Sequence, residues 1–456
     1  MIDNPAFKTM KAHISDHFTY KKIFSITIFP IIMMVFTSLY WIVDGVCVSN
    51  FAGSSSFAAV NLAFPFVSIV GAIGFMFGTG GTALVSKLLG EKKDEEANQT
   101  FSLIVYSTIV LGVIIAVIFF FLVEPIMVAM GDISETATDE MVKEAIKYGK
   151  ILALAQPIFM LQYLFHAFLM VAEKPRLGFI FTIASGLSNM VLDVLLIGVA
   201  KLGVIGAATA TIVGYSIGGF GPLIYFFVKR NGIICLGKPN FKFGNVLKSA
   251  YNGMSEFIAN IAMSVVSIVY NAQLLKAYGE NGVSAYGIIM YVSFVFFAIF
   301  IGYALGIAPV VGYNYGAKNK EELHNVFKKS VFIIAITSLI MFSLSFASAR
   351  VFSRIFSKGS EELISLSTIG LRIYSVAFLF CGIGSFSSSF FTALNNGGVS
   401  ATISISRTLV FQILFVYVLP LIFGPIGIWW AIVVGEALST FVSIIFLISL
   451  RKKYGY

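Results

Sequence analysis

A helix needs about 20 consecutive apolar residues to cross the hydrocarbon core of a bilayer, and this chain is built almost entirely from such runs. Roughly twelve can be drawn, near 21–49, 57–80, 101–123, 145–171, 177–199, 204–228, 247–278, 283–315, 327–347, 363–394, 398–419 and 426–450. They are continuous blocks of Ile, Phe and Leu, which excludes the strictly alternating segments of about 10 residues that a transmembrane barrel requires. The expected fold is therefore an all-α integral membrane protein. With 58% of 456 residues hydrophobic and 12% charged, little chain remains for a soluble domain. Residues 1–20 have no small-residue cleavage site and lead into a run too long for a signal peptide, so they are expected to remain as a tail.

The formal charge of +9 is explained by where the basic residues fall. With the N-terminus inside, inner segments hold 21 of the 31 Lys and Arg, outer segments eight, and Arg372 and Arg407 lie within spans. This is the positive-inside pattern of a multi-pass cell-membrane protein with both termini cytoplasmic. It removes the reason to expect a nucleic-acid partner. Cys47, Cys235 and Cys381 have no metal-ligand spacing and read as small core residues, and His166 stands alone. No HExxH, nucleophile constellation, selectivity-filter sequence or GxxxxGK[ST] loop is present, so an enzyme, a channel and an ATP-driven pump are all disfavoured, and no cofactor is expected.

The segment SKLLGEKKDEEANQTF (86–101) returns without a gap as GYNYGAKNKEELHNVF (312–327), with Gly90, Lys92, Glu95, Glu96 and Phe101 over Gly316, Lys318, Glu321, Glu322 and Phe327. VIGAATATIVG (204–214) matches PIGIWWAIVVG (425–435) at a nearly equal shift, which puts Gly206 over Gly427 and Gly214 over Gly435. Two matches in the same order point to a duplicated six-helix unit. An even number of spans per copy makes the repeats parallel, as in transporters with a substrate path between two lobes. The expected organisation is a tail (1–20), an N-lobe (21–228), a linker (229–246), a C-lobe (247–450) and a tail (451–456).

Four acids lie inside spans: Asp44, Asp193, Glu256 and Glu436. A carboxylate in hydrocarbon needs a partner, an aqueous cavity or a bound proton. Asp44 and Asp193 each sit about two turns from the outer end of their span, Thr211 is at the same depth in the sixth, Tyr148 enters the fourth near that level, and Asn189 is one turn deeper than Asp193. Asp44, Asn189, Asp193 and Thr211 form an all-oxygen set suited to a hard monovalent cation, and two close acids could equally carry H+. The second half lacks the set: Asn271 stands opposite Asp44, Phe, Leu and Ile surround position 414, and Ile432 faces Thr211. Glu256, with Asn271 and Arg407, is the candidate for a second coupling or substrate site. Pro30, about four turns before Asp44 on the same span, reads as a hinge or a fixed bend.

WIVDGVCVSNFAG in the first span, SNMVLDVLLI in the fifth, GAATAT in the sixth, KLLGEKK and IAPVVGYNYGAK together resemble the multidrug and toxic compound extrusion (MATE) family, in its bacterial and archaeal branch, over nearly the whole chain. The resemblance implies a V-shaped, two-lobed, monomeric antiporter in which small organic cations leave by alternating access as Na+ or H+ enters. It also implies a cation site at Asp44, Asn189, Asp193 and Thr211 with Tyr148 nearby. Another branch uses a seventh-span Glu and a tenth-span Asp; Glu256 matches the first, but the tenth span here has no acid. The rival reading is a flippase for lipids or lipid-linked glycans of the same superfamily, disfavoured by the shortage of intramembrane Lys and Arg. Either protein works in contact with membrane lipid.

Overall fold

The computed structural model describes residues 13–133, 138–229, 232–357 and 360–456. Residues 1–12 of the expected tail and 230–231 of the expected linker lie outside them. Among the described residues, ten helical stretches are long and apolar enough to cross a membrane, and two of them contain a break, which yields the twelve spans. They are α1 (Tyr20–Ala52), α2 (Ser54–Gly90), α3 (Asp94–Ile133), α4 (Asp139–Val171), α5 (Pro175–Val199) and α6 (Gly203–Val228). The second half gives α7 (243–278), α8 (280–316), α9 (Lys320–Phe356), α10 (Glu361–Ala393), α11 (397–423) and α12 (Gly427–Tyr454). The described residues contain no strand. The chain is a multi-pass membrane protein of the expected all-α class.

Duplication is written into the backbone where helices stop. Residues of positive φ recur at matched places in the two halves. Gly53 and Gly279 (φ 93° and 63°) and Lys92 and Lys318 (59° and 55°) are related by the same shift that carries Gly90 onto Gly316. Glu173 and Asn395 (55° and 57°), and Gly203 and Gly424 (57° and 66°), pair at nearly that shift. At Lys92 the helix closes with Lys93 N–H donating to Leu88 O (2.9 Å) and Lys92 N–H to Leu89 O (3.0 Å). Asn319 and Lys318 repeat this on Asn314 O (3.0 Å) and Tyr315 O (3.2 Å). This pair of hydrogen bonds is the Schellman closure, which satisfies carbonyls that a helix end leaves free. Each following helix opens on acidic residues, Asp94, Glu95 and Glu96 in α3 and Glu321 and Glu322 in α9, which suit the positive end of the helix dipole.

The chain divides into two compact units, Ile32–Gly253 and Met1–Ile31 with Met254–Tyr456. The sequence placed the division in the linker 229–246, whereas the packing divides α1 and α7 internally. In the first unit, the opening turns of α7 lie directly on α2: a Cβ on Gly80 would collide with Ser249 O, and one on Gly253 with Met76 O. Cys235 N–H donates to Asn98 Oδ1 (2.7 Å) and Gly237 N–H to Ser102 Oγ (2.9 Å), tying the chain before α7 to α3. In the second unit, the opening turns of α1 lie on α8, where a Cβ on Gly302 would come within 2.5 Å of Ile31 Cα and one on Gly306 within 3.0 Å of Thr27 Cα. The repeat shift carries Gly80 onto Gly306 and Thr27 onto Gly253, so both repeats make the same crossing.

What holds α1 to the second unit is a clamp on its approach. Phe18 is fully buried, its N–H donates to Glu322 Oε1 (2.8 Å), and its carbonyl accepts from Asn325 Nδ2 (3.0 Å) and Lys329 Nζ (2.6 Å). The other Glu322 oxygen meets His17 Nδ1 at 2.6 Å. The aromatic cores are separate: Phe159 stacks on Tyr215 at 4.2 Å in the first unit, and Tyr270 on Tyr286 at 5.3 Å in the second. His166 is buried and its Nε2 lies 3.2 Å from Thr182 Oγ1, a packed, hydrogen-bonded histidine.

Lys92 and Lys318 are exposed and take a backbone conformation that costs an L-residue about 1 kcal/mol or more. Lys92→Gly and Lys318→Gly are each expected to leave the fold intact and raise the melting temperature, with additive effects in the double variant. Thermal unfolding in detergent measures both.

Candidate functional site

The first unit brings the expected acids together. α5 changes from an α-helical to a wider π-helical turn at Asp193, and the π segment runs from Asp193 to Val199. There Ala200 N–H reaches back five residues to Leu195 O (2.8 Å). Such single widened turns recur at functional positions in helices. α1 likewise ends in a π segment, Val48–Ala52, that starts one turn after Asp44. Ser185 Oγ donates to Gly214 O (2.7 Å), fastening α5 to α6, and Gly214 lets the helices approach, since its Cβ would stand 3.3 Å from Asn189 Cβ.

Asp44 is 9% exposed, Asp193 0% and Asn189 3%. Asp44 lies within hydrogen-bonding reach of Asp193 and Asn189. One Asp44 oxygen, both Asp193 oxygens and the Asn189 amide oxygen are buried without a donor. Among the described residues no Lys or Arg pairs with either aspartate. Thr211 donates to Ala207 O (2.9 Å), and Tyr148 on α4 lies within hydrogen-bonding reach of Thr211 and in the field of both aspartates. Tyr40, Trp41, Asp44, Asn189, Thr211 and Tyr215 enclose a cavity of about 10 Å³, about one water-sized sphere. Asp193 borders Asp44 without lining that cavity. Side-by-side carboxylates out of water cannot both stay ionised without compensating positive charge, which a bound proton or a small cation would supply.

Tyr40 and Tyr215 were missed in the sequence. Tyr40 precedes Asp44 by four residues and Tyr215 follows Thr211 by four, so each shares a helix face with a residue already singled out. The Tyr215 hydroxyl is buried and has no partner among the described residues.

The second unit puts an arginine where charge is buried. Arg407 lies in the π segment Ser406–Val410 of α11 and is 9% exposed. Its Nε is 4.0 Å from Glu436 Oε1, its Nη1 donates to Cys381 O (3.4 Å), and the guanidinium sits 5.0 Å from the Phe297 ring centre. The field of Arg407 reaches Glu256 as well. Glu436, which the sequence left without a role, is thus the arginine's partner. Asn271 does not join this group: it lies on the same continuous helix as Glu256, α7, but about 22 Å further along the axis. Pro30 is inside α1, one residue before the division between units.

Breaking a buried ion pair from one side strands the other charge, at a cost of about 3 kcal/mol. Arg407→Met is expected to lower the melting temperature markedly, and the double variant Arg407→Met with Glu436→Gln to recover most of the loss. A double-mutant cycle by thermal unfolding tests this.

Comparison with known proteins places these features. The chain is 27% identical over 429 residues to the multidrug export protein MepA of Staphylococcus haemolyticus, covering 92% of each chain. It superposes on the crystal structure of MATE in complex with MaL6 with a TM-score of 0.88 at 24% identity, covering 95% of this chain and 97% of that one. An outward-facing multidrug resistance MATE family transporter of the MOP superfamily gives 0.88 at 24% identity, covering 94% and 96%. The MatE family model matches residues 30–195 and 233–418, one segment in each half of the chain. With a family match in both repeats and the same fold throughout, the chain belongs to the MatE family.

Proposed function

We propose that this protein is a secondary active exporter of small organic cations, driven by Na+ or H+ bound at Asp44 and Asp193 in the plasma membrane. The observation that carries the reading is the pair of adjacent buried carboxylates, of which one Asp44 oxygen and both Asp193 oxygens, together with the Asn189 amide oxygen, have no donor among the described residues. Such a pair has a standing requirement for one or more positive charges, and a proton, a dehydrated Na+ and a cationic nitrogen can each supply it. Competition among them is exchange. The MepA relatives carry the name multidrug export protein, which fits an organic substrate.

The pair alone would be a binding site. To drive transport, the coupling ion must bind one conformation better than another. α1 suits that task, because Asp44 sits on its first-unit segment while its opening turns belong to the second unit. Adding positive charge at Asp44 relieves its repulsion with Asp193 and so changes how firmly this segment of α1 is held against α5, and the proline beside the division gives the helix a place to bend. Thr211 and Tyr148 would complete the oxygen set around a bound ion.

The test is efflux of a fluorescent organic cation from proteoliposomes under separately imposed Na+ and H+ gradients. Wild-type protein should export the dye under one of them, and Asp44→Asn and Asp193→Asn should both fall to the level of empty vesicles while keeping a cooperative unfolding transition. Full transport by both variants would sink the mechanism. No transport by folded wild type under either gradient would shift the reading to a lipid flippase.

A further inference from the structure

Away from the charged cluster, the second unit holds a cavity of about 460 Å³ between the opening turns of α1, the middle of α8 and the first half of α9. That volume is in the range of small-molecule sites. Tyr20 and Lys21 form one end, and Phe24, Phe300, Ile333 and Thr337 line its length. Its depth is informative. Tyr20 and Ile31 both line it, and the helix between them rises about 16 Å, close to half of a hydrocarbon core of about 30 Å. The groove therefore runs from the level of the headgroups to about the middle of the bilayer, which is the reach of one leaflet. Its flank is apolar and open: Phe24 is 62% exposed, Phe332 54% and Ile336 44%.

The Tyr20 end is cationic. Lys21 is exposed and pairs with no acid among the described residues. The acids around it are engaged, Asp16 with Lys22 at 2.9 Å and Glu322 with His17 and the Phe18 N–H. Lys329 adds a second ammonium 5.6 Å from the Tyr20 ring centre. Tyr and Lys at a helix end are the residues that sit at the membrane interface. A positive mouth above an apolar, leaflet-deep groove complements an anionic lipid and repels a lipophilic cation.

We propose that this groove binds one anionic phospholipid, with an acyl chain lying between α1 and α9 and the phosphate on Lys21. The lipid fills the space beside the opening turns of α1 and so helps hold that segment to α8, where Gly302 and Gly306 already admit it. The inference depends on the membrane-spanning architecture and not on ion coupling, so lipid binding and dye efflux can fail separately.

Native mass spectrometry of the purified full chain, titrated with phosphatidylglycerol or with phosphatidylcholine of the same acyl chains, tests it. Wild-type protein should retain one phosphatidylglycerol in preference to phosphatidylcholine. Lys21→Gln should weaken phosphatidylglycerol roughly fivefold, the equivalent of the ~1 kcal/mol that one lysine contributes near an anionic surface, and leave phosphatidylcholine unchanged. Ile333→Trp should fill the groove and weaken both; if that variant does not fold, the Lys21→Gln comparison stands alone. Equal retention of the two lipids by wild type, or no response to Lys21→Gln, overturns the proposal. Displacement of phosphatidylglycerol by tetraphenylphosphonium, tighter in Lys21→Gln, also overturns it and assigns the groove to transported cations.

Discussion

Taking an ionised group out of water costs several kcal/mol even after the surroundings relax, so every buried charge in this chain has to be compensated by something within a few ångströms. The two units meet that demand in opposite ways. In the second, Arg407 supplies the compensation permanently, through Glu436 and the face of Phe297. In the first, Asp44 and Asp193 have no lysine or arginine paired with them among the described residues, and their buried oxygens are left without such a partner. Duplicated architecture thus carries charge arrangements of different character, one paired within the protein and one left unpaired among the described residues.

Much of this was legible in the sequence because bilayer-spanning chains obey few rules. Backbone groups in hydrocarbon must pair within helices, so spans are long apolar runs and appear where hydropathy places them. The shift between the two repeated segments, 86–101 and 312–327, is the same one that separates Gly53 from Gly279 and Lys92 from Lys318 in the backbone. Asp44, Asn189 and Asp193 came together because depth along a straight helix can be counted. The asymmetry between halves, Asn271 opposite Asp44, was equally plain.

Other features were hidden for physical reasons. Which of its neighbours a helix packs on is decided by close approach, and its signal is glycine: Gly80, Gly253, Gly302 and Gly306 mark the crossings, but 41 glycines in the chain make those four hard to single out. The partner of Arg407 was obscure because Glu436 belongs to another helix and depth alone could not choose among several acids. The π segments at Asp193 and Arg407 shift side chains off the regular helical face, and nothing in residue type announces them. Asn271 was grouped with Glu256 by its place in the repeat, although the rise of α7 keeps the two apart.

The crossing of the first helix of each repeat bears on the origin of the chain. A single six-helix repeat folded with this crossing would send the opening turns of its first helix into a neighbour and leave the glycine-lined seat on its own second helix open. Two copies would fill each other's seats, giving a dimer that exchanges identical elements. The present chain has the connectivity of two such copies joined end to end, and within one chain the two halves are free to differ, as they do in the aspartate pair of one and the Arg407–Glu436 pair of the other.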